Sequence, residues 1–137
     1  MIALDTNVII HFLATSSAEH QKTKNWFDQN KEPLATTNTN IAECLRLLTH
    51  PKVFEKPLSL SKALTVLEKF LTHYDVLICD DQNRWWQELL SLEKQTSKIS
   101  GNEIFDARIA LCLKFNGIKK IFTRDSDFKK FPFLKVV

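Results

Sequence analysis

The sequence predicts an α/β sandwich of three layers: a mainly parallel sheet of about five strands, flanked by helices. Two observations predict it. Short apolar runs of strand length alternate with stretches of helical period along the whole chain, the order that places parallel strands beside crossover helices. Glycine and proline are scarce, with two and four in 137 residues, so helices dominate and connections are short. The hydrophobic share of 44% and charged share of 26% are ordinary for a globular chain, which argues against disorder. Residues 1–137 read as a single domain, long enough to bury a core without staples.

Ile2-Ala3-Leu4 predicts a buried first strand that passes through Asp5-Thr6-Asn7 into a helix from Val8 to Leu13. Asp5 or Thr6 is placed to cap that helix. A polar helix follows over 18–29, docked by Trp26 and Phe27. Residues 33–37 predict a second strand. Asn38-Thr39-Asn40 then reads as the cap of a helix over 41–50, whose apolar stripe of Ile41, Cys44, Leu45 and Leu48 recurs at i, i+3, i+4 and i+7. Glu43 falls in the first turn of that helix, where a carboxylate complements the dipole; a ligand to a site is its other reading.

The only linker-like stretch, residues 51–57, is too short to separate domains. Ser59 or Ser61 opens the clearest amphipathic helix, with Leu60, Ala63, Leu64, Leu67, Phe70 and Leu71 on one side. Tyr74 to Cys79 predicts the third strand. Asp80-Asp81 after it reads as a helix start, and Trp85, Trp86, Leu89, Leu90 and Leu92 as the buried face of that helix. After a polar loop, Gly101-Asn102 opens a helix over 103–115 that is apolar nearly all round, the pattern of a buried helix. Asp106 lies in its first half. Gly117 then leads to a strand over 119–123, an acidic loop Thr123-Arg124-Asp125-Ser126-Asp127, a short helix near Phe128 and a last strand over 134–137.

Charge and cysteine usage exclude several classes. Nineteen basic against 16 acidic residues give a net charge of +3, compatible with a polyanionic partner but far from a histone-like excess. Cys44, Cys79 and Cys112 are far apart and embedded in apolar runs, which reads as buried free thiols in a reducing compartment and not as a zinc site. The start of the chain lacks the pattern of a signal peptide, and no apolar run approaches membrane-spanning length. The expected location is the cytoplasm.

Ligands of open α/β sheets gather at the carboxyl ends of strands. In the predicted sheet Asp5 and Asp125 share that edge, and helices bring Glu43 and Asp106 toward it. Four carboxylates in one cleft repel one another, each pair by roughly 4 kcal/mol at about 4 Å and an effective dielectric near 20. One or two divalent cations turn the same cluster into a hard oxygen site, which suits Mg2+ or Mn2+. Two such ions activate water and stabilise the leaving oxygen of a phosphodiester. None of the four histidines falls at a corresponding place, and all four read as surface or packing residues.

These residues resemble the PIN-domain family, and more narrowly its VapC-type toxins, over the whole length. The resemblance is carried by Asp5-Thr6-Asn7 after a short strand, Glu43 in NIAECLRLLTHP, Asp106 in GNEIFDARIA, and TRDSDF with Asp125 and Asp127. Many VapC-type members have Pro-Gly-Leu near the end, where this chain carries Phe133 in place of the glycine. The resemblance implies a Mg2+- or Mn2+-dependent endoribonuclease that cuts RNA, often tRNA or rRNA, is neutralised by a cognate antitoxin and commonly forms a homodimer. It makes Asp5, Glu43 and Asp106 metal ligands and catalytic residues, and Asp125 a direct or water-mediated one. Asp127 reads either as a further ligand or as the cap of the helix near Phe128. Thr6, Asn7 and Thr123 are candidates to orient the carboxylates, and Arg108 and Arg124 to meet RNA phosphates, with plain surface charge as the other reading. The first helices and the long amphipathic helix are the expected dimer and antitoxin surfaces.

Two other functions fit the pattern less well. A PIN-like module that only binds RNA or protein has no need of all four acids. An Asp-based phosphotransfer domain of the haloacid-dehalogenase type needs a second Asp two residues after the first, where this chain has Asn7; a receiver domain needs a Lys after a later strand, and none follows convincingly.

Overall fold

Five short strands pair only in parallel, in the order β3-β2-β1-β4-β5. The computed structural model describes residues 1–137, and in chain order the elements are β1 (Ile2–Leu4), α1 (Thr6–Leu13), α2 (His20–Gln29), β2 (Leu34–Thr37), α3 (Asn38–Leu48), α4 (Leu60–His73), β3 (Leu77–Cys79), α5 (Leu89–Gln95), α6 (Glu103–Phe115), β4 (Lys120–Phe122) and β5 (Lys135–Val136). Short 3-10 turns cover Trp85–Glu88 and Ser126–Lys130. The chain builds outward from β1 to β2 and β3, then crosses over to lay β4 on the other side of β1. That reversal makes the carboxyl ends of β1 and β4 a switch point, the place where open sheets leave a crevice. Leu4 is in register with Phe122, so Asp5 and Thr123 emerge side by side.

The inner strands β1, β2 and β4 are largely buried because both sheet faces are covered there, while on the edge strand β3 Leu77 and Ile78 stay exposed. Successive residues alternate sides. Ile2, Leu4, Leu34 and Phe122 join Val8, Phe27, Cys44 and Leu67 in the core beneath α1 to α4. Ala3, Ala35, Ile121 and Cys79 join Leu92, Ile109, Leu113 and Phe128 in the core on the other face. The result is a three-layer sandwich. No helix is long and apolar enough to cross a membrane.

Four local expectations change. Helix α3 begins at Asn38 and not at Ile41, because Thr37 is the cap, its hydroxyl accepting from the Asn40 amide at 3.2 Å. Glu43 therefore sits in the second turn, beyond the reach of a dipole effect that fades within the first. The stretch after β3 does not open as one helix with a Trp-rich buried face: Arg84 takes a left-handed φ of 58°, and a 3-10 turn precedes α5. A 3-10 turn carries three residues per turn, so the tryptophans leave the expected stripe; Trp86 and Leu90 are exposed and only Leu92 is buried. Asp81 caps nothing, because its carboxylate pairs with Arg108. Helix α6 has the expected bounds but is not buried all round, since Phe105 and Phe115 are more than half exposed.

Candidate active site

Asp5 is the most constrained carboxylate in the molecule. It caps α1 by accepting from the Thr6 amide at 2.8 Å, the capping role that the sequence offers it, and it stands at the switch point of the sheet. Its Oδ1 further accepts from Asn40 Nδ2 at 3.1 Å. Its Oδ2 accepts from Asn7 Nδ2 at 2.9 Å and from the Thr123 hydroxyl at 2.5 Å. Four donors hold a 5% exposed carboxylate in one orientation. Asn7 also donates to Thr123 Oγ1 and accepts from the Arg124 amide, which ties the start of α1 to the loop after β4. Thr123 Oγ1 in turn accepts from the Asp125 amide at 2.9 Å.

Glu43 is reached from the same network: the Thr6 hydroxyl donates to its Oε2 at 2.5 Å, and Thr6 Oγ1 accepts from Asn40 Nδ2 at 3.0 Å. Opposite stand Asp106, Asp125 and Asp127, each offering a carboxylate oxygen within 4.8 Å of the others. Asp5 and Glu43 are outside that close group. The cap of the Ser126–Lys130 turn is Asp125, accepting from the Asp127 amide at 2.8 Å, so Asp127 is not the cap and its carboxylate is free for the cluster. Lys130 pairs with Glu103, which binds this turn to the first turn of α6. Glu43, Asp106, Asp125 and Asp127 line one cleft of about 880 Å³ between α3 and α6.

The electrostatics are those of crowded acids. Burial pushes the Asp5 carboxyl above its usual range, opposed by the Thr123 and Thr6 hydrogen bonds and reinforced by Glu43 and Asp125. Burial is also the main cause for Asp106, raised to about 6, with Asp125, Asp5 and Glu43 adding repulsion and Lys130 partly relieving it. Asp5, Glu43, Asp106 and Asp125 thus feel one another across the cleft.

Residues 2–134 match the model of the PIN domain family. The chain belongs to that family. Ribonuclease VapC48 of Mycobacterium tuberculosis is 28% identical over 92 residues, 67% of this chain, and the match spans 63% of that relative, under two thirds of its length. Ribonuclease VapC24 of the same species is 25% identical over 142 aligned positions, covering 99% of this chain and 94% of the relative. A toxin–antitoxin complex from Klebsiella pneumoniae has the same fold, with a TM-score of 0.62 over 99% of this chain and 97% of that one, at 14% identity.

In this PIN domain the acidic group fits a divalent cation by the chemistry of its donors: three carboxylates from two elements, all hard oxygens, in a polar cleft. Thr39 Oγ1, on the cleft wall, is buried without a hydrogen-bond partner. The two candidate RNA-contacting arginines are both engaged. Arg108 lines the cleft and pairs with Asp81, while Arg124 reaches Glu19 at 3.6 Å and lies over the Phe122 ring. No histidine lines the cleft. His11 meets Ser17, His20 the Phe12 carbonyl, His50 the Lys52 amide and His73 the Tyr74 ring. The three cysteines are free and buried, their thiols pushed up chiefly by desolvation, that of Cys112 to about 12.

Asn40 is the site residue that sequence reasoning missed. It is 1% exposed, its Oδ1 accepts from Thr37 at 2.7 Å, and its amide nitrogen joins Asp5 to Thr6. The signal was present: Asn40 continues the stripe of Cys44 and Leu48 backward by one helical turn, and a polar residue on a buried stripe needs partners. Arg46 was missed as well; it lines the cleft from α3 and makes no ion pair.

Proposed function

We propose that this protein is a metal-dependent endoribonuclease of the VapC type, a single PIN domain over residues 1–137 that serves as the toxin of a toxin–antitoxin pair. The observation that carries it is the convergence of Asp106, Asp125 and Asp127 within 4.8 Å at the switch point of the sheet, with Asp5 and Glu43 hydrogen-bonded behind them. The relatives' designation as ribonucleases supports RNA as the polymer.

Mg2+ or Mn2+ is the cation that such a carboxylate set would hold, and when bound it supplies positive charge to a phosphodiester that gains negative charge as it is attacked. Asp106, Asp125 and Asp127 are the nearest donors, with Asp5 and Glu43 completing the set. The rest of the work belongs to the chain. Thr6, Asn7, Asn40 and Thr123 fix the Asp5 and Glu43 carboxylates before substrate arrives, so little reorganisation remains for the reacting state. Burial and the neighbouring acids raise the Asp106 carboxyl to about 6 in the metal-free chain, so a cation binding there would have to displace its proton in mildly acid solution.

The partner in this reading is a cognate antitoxin, supported by the fold shared with the Klebsiella complex. The groove of about 710 Å³ between α1 and α4, lined by Phe12, Leu13, Val66, Phe70 and Tyr74, agrees with the helical surfaces expected to bind antitoxin or a second copy. A homodimer is the assembly that the VapC-type resemblance of the sequence implies. Cytoplasmic action on tRNA or rRNA is what the same VapC-type resemblance implies, and it belongs to the same reading.

The test is cleavage of total RNA by the purified protein with Mg2+ or Mn2+ and again with chelator, beside Asp5→Asn and Asp106→Asn. Metal-dependent cutting by the wild type alone is the expected result. Equal cutting by all three proteins would assign the activity to a contaminant and end the reading.

A further inference from the structure

Phe105 is the one aromatic side chain on the acidic cleft, and it is 53% exposed. An exposed phenylalanine is ordinary by itself; its surroundings here are not. It precedes Asp106 directly, belongs to neither hydrophobic core and stacks on no other ring. One helical turn on, and so on the same side of α6, stands Arg108. Asp81 Oδ2 accepts from Arg108 Nε at 3.1 Å and from Nη2 at 2.6 Å, and the guanidinium lies 5.0 Å from the centre of the Trp85 ring. Asp81 engages the Nε–Nη2 edge of the fork and leaves other N–H groups for the cleft. Across the cleft Arg46 is unpaired.

An apolar ring among two arginines and an acid cluster is poorly suited to a packing role but well suited to a nucleotide, which has a π-face beside a phosphate. We infer that Phe105 is a stacking platform for the base next to the cleaved linkage, and that Arg108, held in place by Asp81 and Trp85, receives an adjoining phosphate. The inference rests on the nuclease reading and narrows its substrate: RNA in which that nucleotide is already unstacked, as in a single strand, a loop or a bulge. Bases in an A-form duplex are stacked and have no free face to offer. Base–aromatic stacking tolerates sequence, because every base has a face, so the platform selects RNA conformation before it selects sequence.

The experiment uses an RNA oligonucleotide spanning a cleavage site mapped in total RNA, presented single-stranded and annealed to its complement. Wild type is compared with Phe105→Ala, Phe105→Leu, Phe105→Tyr and Arg108→Gln at several salt concentrations. Phe105→Ala and Phe105→Leu are expected to raise KM about 10-fold, the size of one lost base–aromatic stack, with kcat changed far less. Phe105→Tyr keeps the ring and is expected to stay within about threefold of wild type; leucine keeps the bulk without the ring and so exposes a merely structural role. Arg108→Gln should flatten the dependence of log KM on log salt by about 0.7, the contribution of one phosphate contact to a single strand. The duplex should resist cutting. If wild type cuts the single strand while the alanine and leucine variants keep its KM, or if the duplex is cut as fast, the platform is refuted and the nuclease stands. If wild type cuts no RNA with metal present, the nuclease reading fails and takes the platform with it.

Discussion

Asn40 holds together the two sides of the acid network, and the effect of its removal can be estimated group by group. Truncation to alanine leaves Asp5 Oδ1 with one donor where it had two, and leaves the buried Thr37 hydroxyl without its acceptor. An unsatisfied buried polar group costs about 1–3 kcal/mol, so Asn40→Ala is expected to lower unfolding stability by about 2 kcal/mol in a urea titration. Loss of a group that orients ligands typically lowers metal affinity or activity about 10–100-fold, and RNA cleavage should fall within that range. A variant as stable and as active as wild type would show the network to be idle. Asp106 gives a second prediction at this scale, and the sign matters. Its carboxyl is raised in the folded chain from an ordinary 3.8 to about 6, so the folded state holds the proton more tightly. The associated stability is complete below about pH 4 and is lost as pH rises through about 6. Asp106→Asn escapes that loss. In metal-free protein the variant should therefore match wild type near pH 4 and melt higher above pH 6, by about 1 kcal/mol once solvent screening of a half-buried group is allowed for. A gap that is constant with pH would assign the difference to something other than this proton.

At the scale of elements, the acids are placed by where helices begin. Helix α3 starts directly after β2 because the Thr37 hydroxyl meets the Asn40 amide, and that start puts Asn40 on the buried side and Glu43 in the cleft. Thr37→Ala removes the cap and the hydroxyl that Asn40 Oδ1 accepts from. It is expected to cost about 1–2 kcal/mol, with most of the loss restored by Thr37→Ser; equal loss in both variants would point to packing of the Thr methyl instead. The same helix shows what the sequence makes legible. The alternation of strands with helices is legible from short apolar runs between stretches of helical period, and the bounds of α6 from the glycine turns at Gly101 and Gly117 on either side of it. The run Asn38-Thr39-Asn40 offers three capping side chains in a row, and local chemistry does not choose between them and Thr37. The choice is made by the end of β2, where the sheet stops and the helix must begin. The turn at Trp85–Glu88 was hidden for a related reason: Arg84 adopts a left-handed conformation that no local signal demanded. Asp81 looked like a helix start because its partner, Arg108, lies 27 residues on.

For the whole molecule, the acid cluster is a cost of folding that a cation removes. Asp106 comes from α6, while Asp125 and Asp127 come from the turn after β4, and without a cation the joint between these elements relies on the Glu103–Lys130 pair and on the core around Phe128. A cation held by all three carboxylates joins the two elements and relieves the repulsion that raises Asp106 and Asp5. Binding that favours the folded state adds stability by mass action, about 2.7 kcal/mol when the ion is at 100 times its dissociation constant. For a chain of this length that corresponds to a rise in melting temperature on the order of 5–10 °C. The rise should appear on titrating Mn2+ into chelator-treated protein at pH 7.5, shrink at pH 5.5 where Asp106 holds its proton, and vanish in Asp106→Asn and in Asp125→Asn. The metal-free melting point of Asp106→Asn should meanwhile exceed that of wild type, so the two curves cross as metal is added. A wild type that gains nothing from Mn2+, or variants that gain as much as it does, would mean that the cleft does not hold the ion as a folded-state ligand.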